Sequence, residues 1–509
     1  MKIGTGAVAV TIFAVAGIWG SGTGASAAVQ APPIDPAEFA NTVSTDAVMD
    51  HLEALEQIAI DNGGNRAFGT PGYTASADYI EPLLQEAGYV TTRQPFDTPL
   101  QTILAYELSL KGVPYLPPIG VPMQGTTGTG PAAITTTLVR PVDPAVAGCA
   151  AADYAGVDAT GHISIVNRGN CTFADKSAAA AAAGAAALII VNNEDAPFLG
   201  DLGPAGTTPR VPTIGVSSSE GSAIGSIGDV PLGFLLDETT QTISTFNLLA
   251  ESPTGRDDNT VMAGAHLDSV KEGPGINDNG SGSAVLLETA LQLADQGDLN
   301  NQVRFAWWGG EEEGLLGSFH YVSDLVANAP TEVDQIATYL NFDMVGSPNY
   351  VMAVYDADQS SSPAPVEVPP GSVATEKLLT DYLDSIGQPW KDTAFDGRSD
   401  YLPFITAGVA SSGLFTGAEG IKSPEEAARF GGTAGQQYDP NYHQAGDTVA
   451  NISETALGIA SRAIAFAIGS LANDTLLING VTPETAPVEL VAPVAALPTS
   501  PIPSSTLLR

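Results

Sequence analysis

Three apolar runs in the second half of this chain, residues 260–265, 303–308 and 338–342, lead directly or within three residues into an acid or a histidine. These are His266, the Glu311-Glu312-Glu313 cluster and Asp343. Helical patterns at 283–294 and 375–386 alternate with these runs and with a fourth at 409–415. Such alternation predicts an α/β fold, a mixed and mostly parallel sheet flanked by helices. Open sheets of this kind bind ligands beyond the carboxyl ends of their strands, so the order of elements puts the polar residues where the architecture builds a site. Asp278 lies in the connection after His266, and His443 precedes a last helical pattern at 453–471. The chain has five histidines, and two fall at these points.

Imidazole nitrogen and carboxylate oxygen are ligands that zinc accepts without thiolate, and a catalytic zinc site keeps a position open for water. A bridging carboxylate lets two ions sit about 3.5–4 Å apart and share a hydroxide that attacks a polarised carbonyl. A glutamate beside a ligand then suits the general base, passing the proton of the water to a leaving amine. Singly, each residue has a plainer reading. A histidine after a strand is often structural, the three glutamates make a solvated acidic turn, and Asp278 caps the following helix. Asp268, two residues past His266, is either a loop carboxylate or the acceptor of the other ring N–H, which would fix its tautomer. The joint pattern favours metal chemistry.

At 509 residues the chain is too long for one ordinary core, so two domains with terminal segments are expected. Its 18 Lys+Arg against 57 Asp+Glu give a net charge of -39, which repels phosphate backbones and anionic lipid. Nucleic acid is therefore not an expected partner. Residues 1–27 read as a secretory signal: Lys2, an apolar run at 7–19, and small residues ending in Ala25-Ser26-Ala27. No later stretch reaches the ~20 uninterrupted apolar residues of a membrane span, so a secreted monomer without a membrane anchor is expected. Cys149 and Cys171 are the only cysteines; in an oxidising compartment they pair, and otherwise they are two free thiols. Residues 28–110 carry helical spacing around a glycine-rich turn, Asn65-Arg66-Ala67-Phe68-Gly69. From 111 to 237 the texture changes to Gly, Pro, Thr and short β-like runs, with a strand at 163–166, an alanine-rich helix at 178–187 and a strand at 188–191. The α/β alternation occupies 238–473. Residues 474–509, rich in Pro, Ala and Val, lack the period of a packed helix and read as a disordered or removable tail.

Several segments, taken together, carry a resemblance. They are Gly264-Ala265-His266-Leu267-Asp268-Ser269-Val270, Gly275-Ile276-Asn277-Asp278-Asn279-Gly280-Ser281-Gly282, Trp307-Trp308-Gly309-Gly310-Glu311-Glu312, Asn341-Phe342-Asp343-Met344, Gly397-Arg398-Ser399-Asp400-Tyr401 and Tyr442-His443. Across most of residues 46–471 the chain resembles the secreted co-catalytic di-zinc aminopeptidases of the aminopeptidase S and aminopeptidase Y type. The middle segment, with Gly148-Cys149 and Gly169-Asn170-Cys171-Thr172-Phe173, is similar to the protease-associated (PA) domain inserted in some members. The resemblance implies the zinc-exopeptidase, phosphorylase/hydrolase-like fold. It implies two zinc ions, one on His266 and Asp343 and the other on Glu312 and His443, with Asp278 bridging. It further implies Glu311 as base, Tyr442 as donor to the oxyanion, Arg398 near the substrate, and peptides with a free amino terminus, apolar ones such as leucine first, as substrates. Two departures stand out. Glu313 replaces an apolar residue and invites a slip of register between the glutamates. Asn441 and Gly446 exclude the disulfide that brackets the histidine loop in some relatives, which leaves that loop freer to move.

Other classes fit less well. No Gly-x-Ser-x-Gly elbow occurs, which argues against a serine hydrolase. None of the histidines begins a His-Glu-x-x-His motif, which argues against a single-zinc protease of that type. A non-catalytic peptide-binding protein on the same scaffold would not need the full ligand set with Glu311. A zinc carboxypeptidase or aminoacyl cyclase of the same fold is separable by assay on free against blocked peptides.

Overall fold

In a computed structural model the strand Arg256–His266 lies at the centre of a ten-stranded mixed sheet. Its neighbours Asn301–Trp308 and Ile336–Phe342 both run parallel to it. Beyond Ile336–Phe342 come Ser411–Phe415, parallel, and Ala353–Tyr355, antiparallel. On the other side Leu232–Glu251 and Val90–Leu110 follow, each antiparallel to the strand before it. All seven residues of Ile336–Phe342 are buried. Covered on both faces, such strands read as continuous apolar runs, which is why they were legible. The structure describes residues 33–483 apart from 142–147, 170, 197, 199, 201, 203–208 and 365. The expected signal at 1–27 and the tail from 484 onward lie outside the described residues.

Helices Thr45–Asp61, Gly282–Ala294 and Glu454–Asn473 cover one face through Leu52, Leu55, Val285, Leu287, Leu457 and Ile464. The last is long and apolar enough to cross a membrane, yet most of it is buried here against the sheet. The opposite face is aromatic. Trp308 donates to the Tyr339 hydroxyl at 2.8 Å, and Tyr339 stacks on Phe404 with centroids 3.8 Å apart. Aromatic pairs of this kind add about 0.5–1.5 kcal/mol beyond the area they bury.

The inserted segment forms its own five-stranded sheet, in the order Val121–Pro122, Thr213–Val216, Ala187–Val191, Ile163–Asn167, Leu138–Val139. Its alanine-rich helix spans Phe173–Ala182, starting earlier than the alanine run implies. Thr172 accepts from the Asp175 amide while Asp175 reaches back to the Thr172 amide, so this capping box fixes the start. Cys149 and Cys171 form a disulfide. Closing a loop of that length restricts the unfolded chain by ~3 kcal/mol in the chain-entropy account.

The module hangs on a ribbon. Val90–Leu110 pairs with Leu232–Glu251 from Val90↔Glu251 to Leu110↔Leu232, with one register shift between Ile103 and Ala105. Residue 237, where the change of texture placed a boundary, falls inside a continuous strand, so both units share the ribbon. The start of the expected tail is also docked. Thr475 is buried and accepts from Asn259 Nδ2 at 2.8 Å, and Asn479 Nδ2 donates to Asn259 Oδ1 at 2.7 Å.

Candidate metal centre

The chain leaves the central strand at His266, forms its neighbour on one side, then crosses to form Ile336–Phe342 on the other. A crevice opens at such a switch point. His266 ends the central strand, Asp343 follows Phe342, and the glutamates follow Trp308. Asp278 comes from the irregular helical turn Ile276–Ser281 that leads into helix Gly282–Ala294, and His443 from a loop ahead of helix Glu454–Asn473. Three non-glycine residues around the site, Leu315 after the glutamates, Met344 after Asp343 and His443 itself, have φ of 58°, 52° and 56°. Left-handed backbone costs of order 1–3 kcal/mol at such residues and persists only where the surroundings over-determine it. At Met344 they do: its amide donates to Asn279 Oδ1 at 3.2 Å, and its carbonyl accepts from Thr416 Oγ1 at 2.6 Å.

The five sequence candidates converge as two groups that share one carboxylate. Asp278 Oδ1 lies 3.2 Å from His266 Nε2, and Asp278 Oδ2 lies 3.2 Å from His443 Nε2. Asp343 Oδ1 is 3.3 Å from His266 Nε2, and Glu312 Oε2 is 3.0 Å from His443 Nε2. Within each group the ligand atoms lie within 4.8 Å of one another. Glu311 Oε2 stands 4.0 Å from His266 Nε2 and belongs to neither group. Glu313 turns outward, 3.9 Å from Lys271 Nζ.

The charge distribution asks for cations. Burial lowers the proton affinity of His266, yet Asp343, Glu311 and Asp278 raise it well above the ordinary value. Burial likewise opposes protonation of His443, but Asp278 and Glu312 hold it at about 10. Burial and the nearby Asp278 push Glu312 up to about 8. The buried Asp343 Oδ1 and Glu312 Oε1 accept no hydrogen bond among the described residues. A buried carboxylate oxygen without a hydrogen-bond partner is costly, and carboxylates so placed beside two imidazoles match the donor set of zinc.

Supporting residues hold this arrangement, and several carry no signal in the sequence. Asp268 acts through different atoms from those expected. Its backbone carbonyl, not its carboxylate, takes the His266 Nδ1 hydrogen at 3.0 Å, while the carboxylate accepts the amides of Gly310 (2.9 Å), Glu311 (3.2 Å) and Glu312 (3.4 Å). It therefore sets the position of the glutamate loop. Asp447 does the same for the shared ligand, accepting from the amides of Asn277 at 2.8 Å and Asp278 at 3.0 Å. With Asn441 Nδ2 on Asn451 Oδ1 at 2.6 Å, it ties down the histidine loop that lacks a bracketing disulfide. Arg66, fully buried, donates to the carbonyls of Leu267, Pro274 and Gly275 and so joins the His266 loop to the Asp278 loop. Ser399 Oγ donates to Asp343 Oδ2 at 2.6 Å. Arg398 pairs with Glu419 at 2.8 Å and donates to the Tyr442 hydroxyl at 3.4 Å, while the Tyr442 ring stacks on His443. Arg398, Ser399, Glu419 and Tyr442 line a cavity of about 810 Å³ together with Asp278, Glu311, Glu312, Asp343 and His443.

Residues 247–468 match the model of peptidase family M28, and 134–224 match that of the PA domain. The chain is 44% identical over 461 residues to a Mycobacterium tuberculosis protein named probable lipoprotein aminopeptidase LpqL, across 87% of this chain and 89% of that one. The chain belongs to peptidase family M28. Further relatives include an aminopeptidase of Pseudomonas aeruginosa, 40% identical across 85% of this chain and 82% of its own. A probable leucine aminopeptidase 2 of Aspergillus oryzae is 39% identical across 87% of each chain. Among solved structures, the aminopeptidase from Aneurinibacillus sp. strain AM-1 shares the fold, with a TM-score of 0.68 at 24% identity over 90% of this chain and 98% of that one. BSAP, a zinc aminopeptidase from Bacillus subtilis, superposes with a TM-score of 0.58 at 26% identity over 84% and 95%.

Proposed function

We propose that this M28 peptidase is a secreted, monomeric, two-zinc aminopeptidase that removes apolar amino-terminal residues such as leucine. The observation that carries the reading is the pair of ligand groups sharing Asp278. His266 and Asp343 would hold one ion, Glu312 and His443 the other, and Asp278 both. Zinc so held supplies Lewis acidity and lowers the pKa of water.

The protein's own groups account for the rest. Glu311, buried beside the ligands and outside both groups, takes the proton of the attacking water and returns it to the leaving amine. Its raised proton affinity, caused by burial and the nearby Asp343 and Asp400, suits a group that must hold that proton between the two steps. The Tyr442 hydroxyl donates to the oxyanion that develops on the carbonyl, and Arg398 keeps it in position. The acidic pocket attracts a free α-ammonium group and gives exopeptidase selectivity a physical basis. Phe319, Leu402, Phe415 and Met344 line the cavity and favour an apolar first side chain, in keeping with relatives named leucine aminopeptidase. The leader-like residues 1–27 support export.

Elemental analysis of the purified protein is expected to approach two zincs per chain. Exhaustive chelation should abolish release of leucine from leucyl p-nitroanilide, zinc should restore it, and the N-acetylated substrate should resist cleavage. Full turnover in metal-free protein would refute the reading.

A further inference from the structure

The cavity over the ligands has a wall that the peptidase sheet does not supply. Gln124 and Gly200, both from the inserted module, line it together with Glu311, Asp343, Arg398 and His443. The backbone there is hydrogen-bonded on both sides. The Gln124 amide donates to the Gly200 carbonyl at 2.9 Å, its carbonyl accepts from the Leu202 amide at 3.0 Å, and Met123 beside it is buried and bonded to Thr213. The side-chain amide of Gln124, by contrast, has no hydrogen-bond partner among the described residues. It is thus a donor and acceptor pair on a backbone-bonded residue that lines the same cavity as the candidate ligands. The ribbon, paired along both strands, joins the module to the sheet.

We infer that Gln124 forms a subsite for the peptide backbone beyond the scissile bond, an inference that rests on the aminopeptidase reading. Two features select this ligand. An amide side chain offers two N–H donors and a carbonyl acceptor, which complement the C=O and N–H of a neutral peptide backbone. Most charged groups in the cavity, Asp278, Glu311, Glu312, Asp343, Asp396 and Glu419, are acidic, so a free carboxylate is disfavoured there. Nor does a single residue fill the space: about 810 Å³ is near the upper end of small-molecule pockets, which hold ligands well beyond one amino acid. The inserted module therefore reads the substrate.

The test compares two substrates with the same first residue, leucinamide, which has no chain past the scissile bond, and a leucine-initiated tetrapeptide. In Gln124→Ala the ratio of kcat/KM for the tetrapeptide to that for leucinamide is expected to fall roughly three- to tenfold, the worth of one to two hydrogen bonds. Gln124→Leu, which keeps the bulk and removes the amide, should show the same fall. An unchanged ratio in both variants, or a parallel loss on both substrates, overturns the subsite. If the unaltered enzyme cleaves neither substrate, it is the aminopeptidase reading that fails.

Discussion

Glu311→Ala is expected to retain both zincs and to lose roughly 10²- to 10⁴-fold in kcat, the usual worth of a positioned general base. Its neighbours should behave differently, because the chain sends the three glutamate side chains to different places. Glu312 places Oε2 3.0 Å from His443 Nε2, so Glu312→Ala should drop to about one zinc per chain, one of the two ligand groups of the proposed centre having lost a charged ligand. Glu313 lies out by Lys271, so Glu313→Ala should change neither zinc content nor turnover. Zinc stoichiometry measured beside kcat for the three variants decides the register. A Glu311 or Glu313 variant holding a single zinc would mean that the ligand has been assigned to the wrong glutamate.

Asp278→Ala should be more damaging still, taking metal from both positions. Its two oxygens face different imidazoles at the same 3.2 Å, so one substitution removes a ligand from each group and leaves two histidines among carboxylates. Loss of an outer-shell partner typically weakens metal binding 10- to 100-fold. Loss of a shared ligand should exceed that, with zinc content approaching none and leucyl p-nitroanilide turnover falling to background. Circular dichroism identifies a variant that has simply unfolded, and Asp278→Asn, which keeps the shape and the amide contacts to Asp447, repeats the test in a gentler form. A folded variant that still holds two zincs would show that Asp278 does not bridge.

What could be read from the sequence follows from how burial writes itself into residues. Strands covered on both faces become apolar runs, and the candidate ligands stand directly beyond those runs, as His266 and Asp343 do. The supporting contacts were silent because they join distant segments through atoms that a sequence does not distinguish. Nothing in Arg66 marks it as buried, since a surface arginine in a glycine-rich turn would be spelled the same way. Asp447 finds the amides of Asn277 and Asp278 only when two loops meet. At Asp268 the sequence shows a carboxylate two residues past His266, but not that the backbone carbonyl takes the ring hydrogen while the carboxylate takes amides. The change of composition near residues 111 and 237 says nothing of hydrogen bonding, and the ribbon runs through the second of those points. Residues 474–480 form the single helical turn Leu476–Asn479, too short to write a period, and are held by Thr475 and Asn479, polar groups that meet Asn259.

The ribbon also dictates an order of assembly. Leu110 pairs with Leu232, so the whole inserted module serves as the turn of a giant hairpin. Bringing two strand ends together across a long, unstructured loop carries an entropic cost that grows with its length, and contacts so far apart in sequence slow folding. A module that has already folded shortens that loop to almost nothing. Zippering is then expected to start at Leu110↔Leu232 and travel toward Val90↔Glu251, completing the large sheet at that side last. Pulsed hydrogen exchange during refolding should find the amides of 163–167 and 187–191 protected before those of 90–95 and 246–251, and the opposite sequence of events would mean that the peptidase sheet templates the insert.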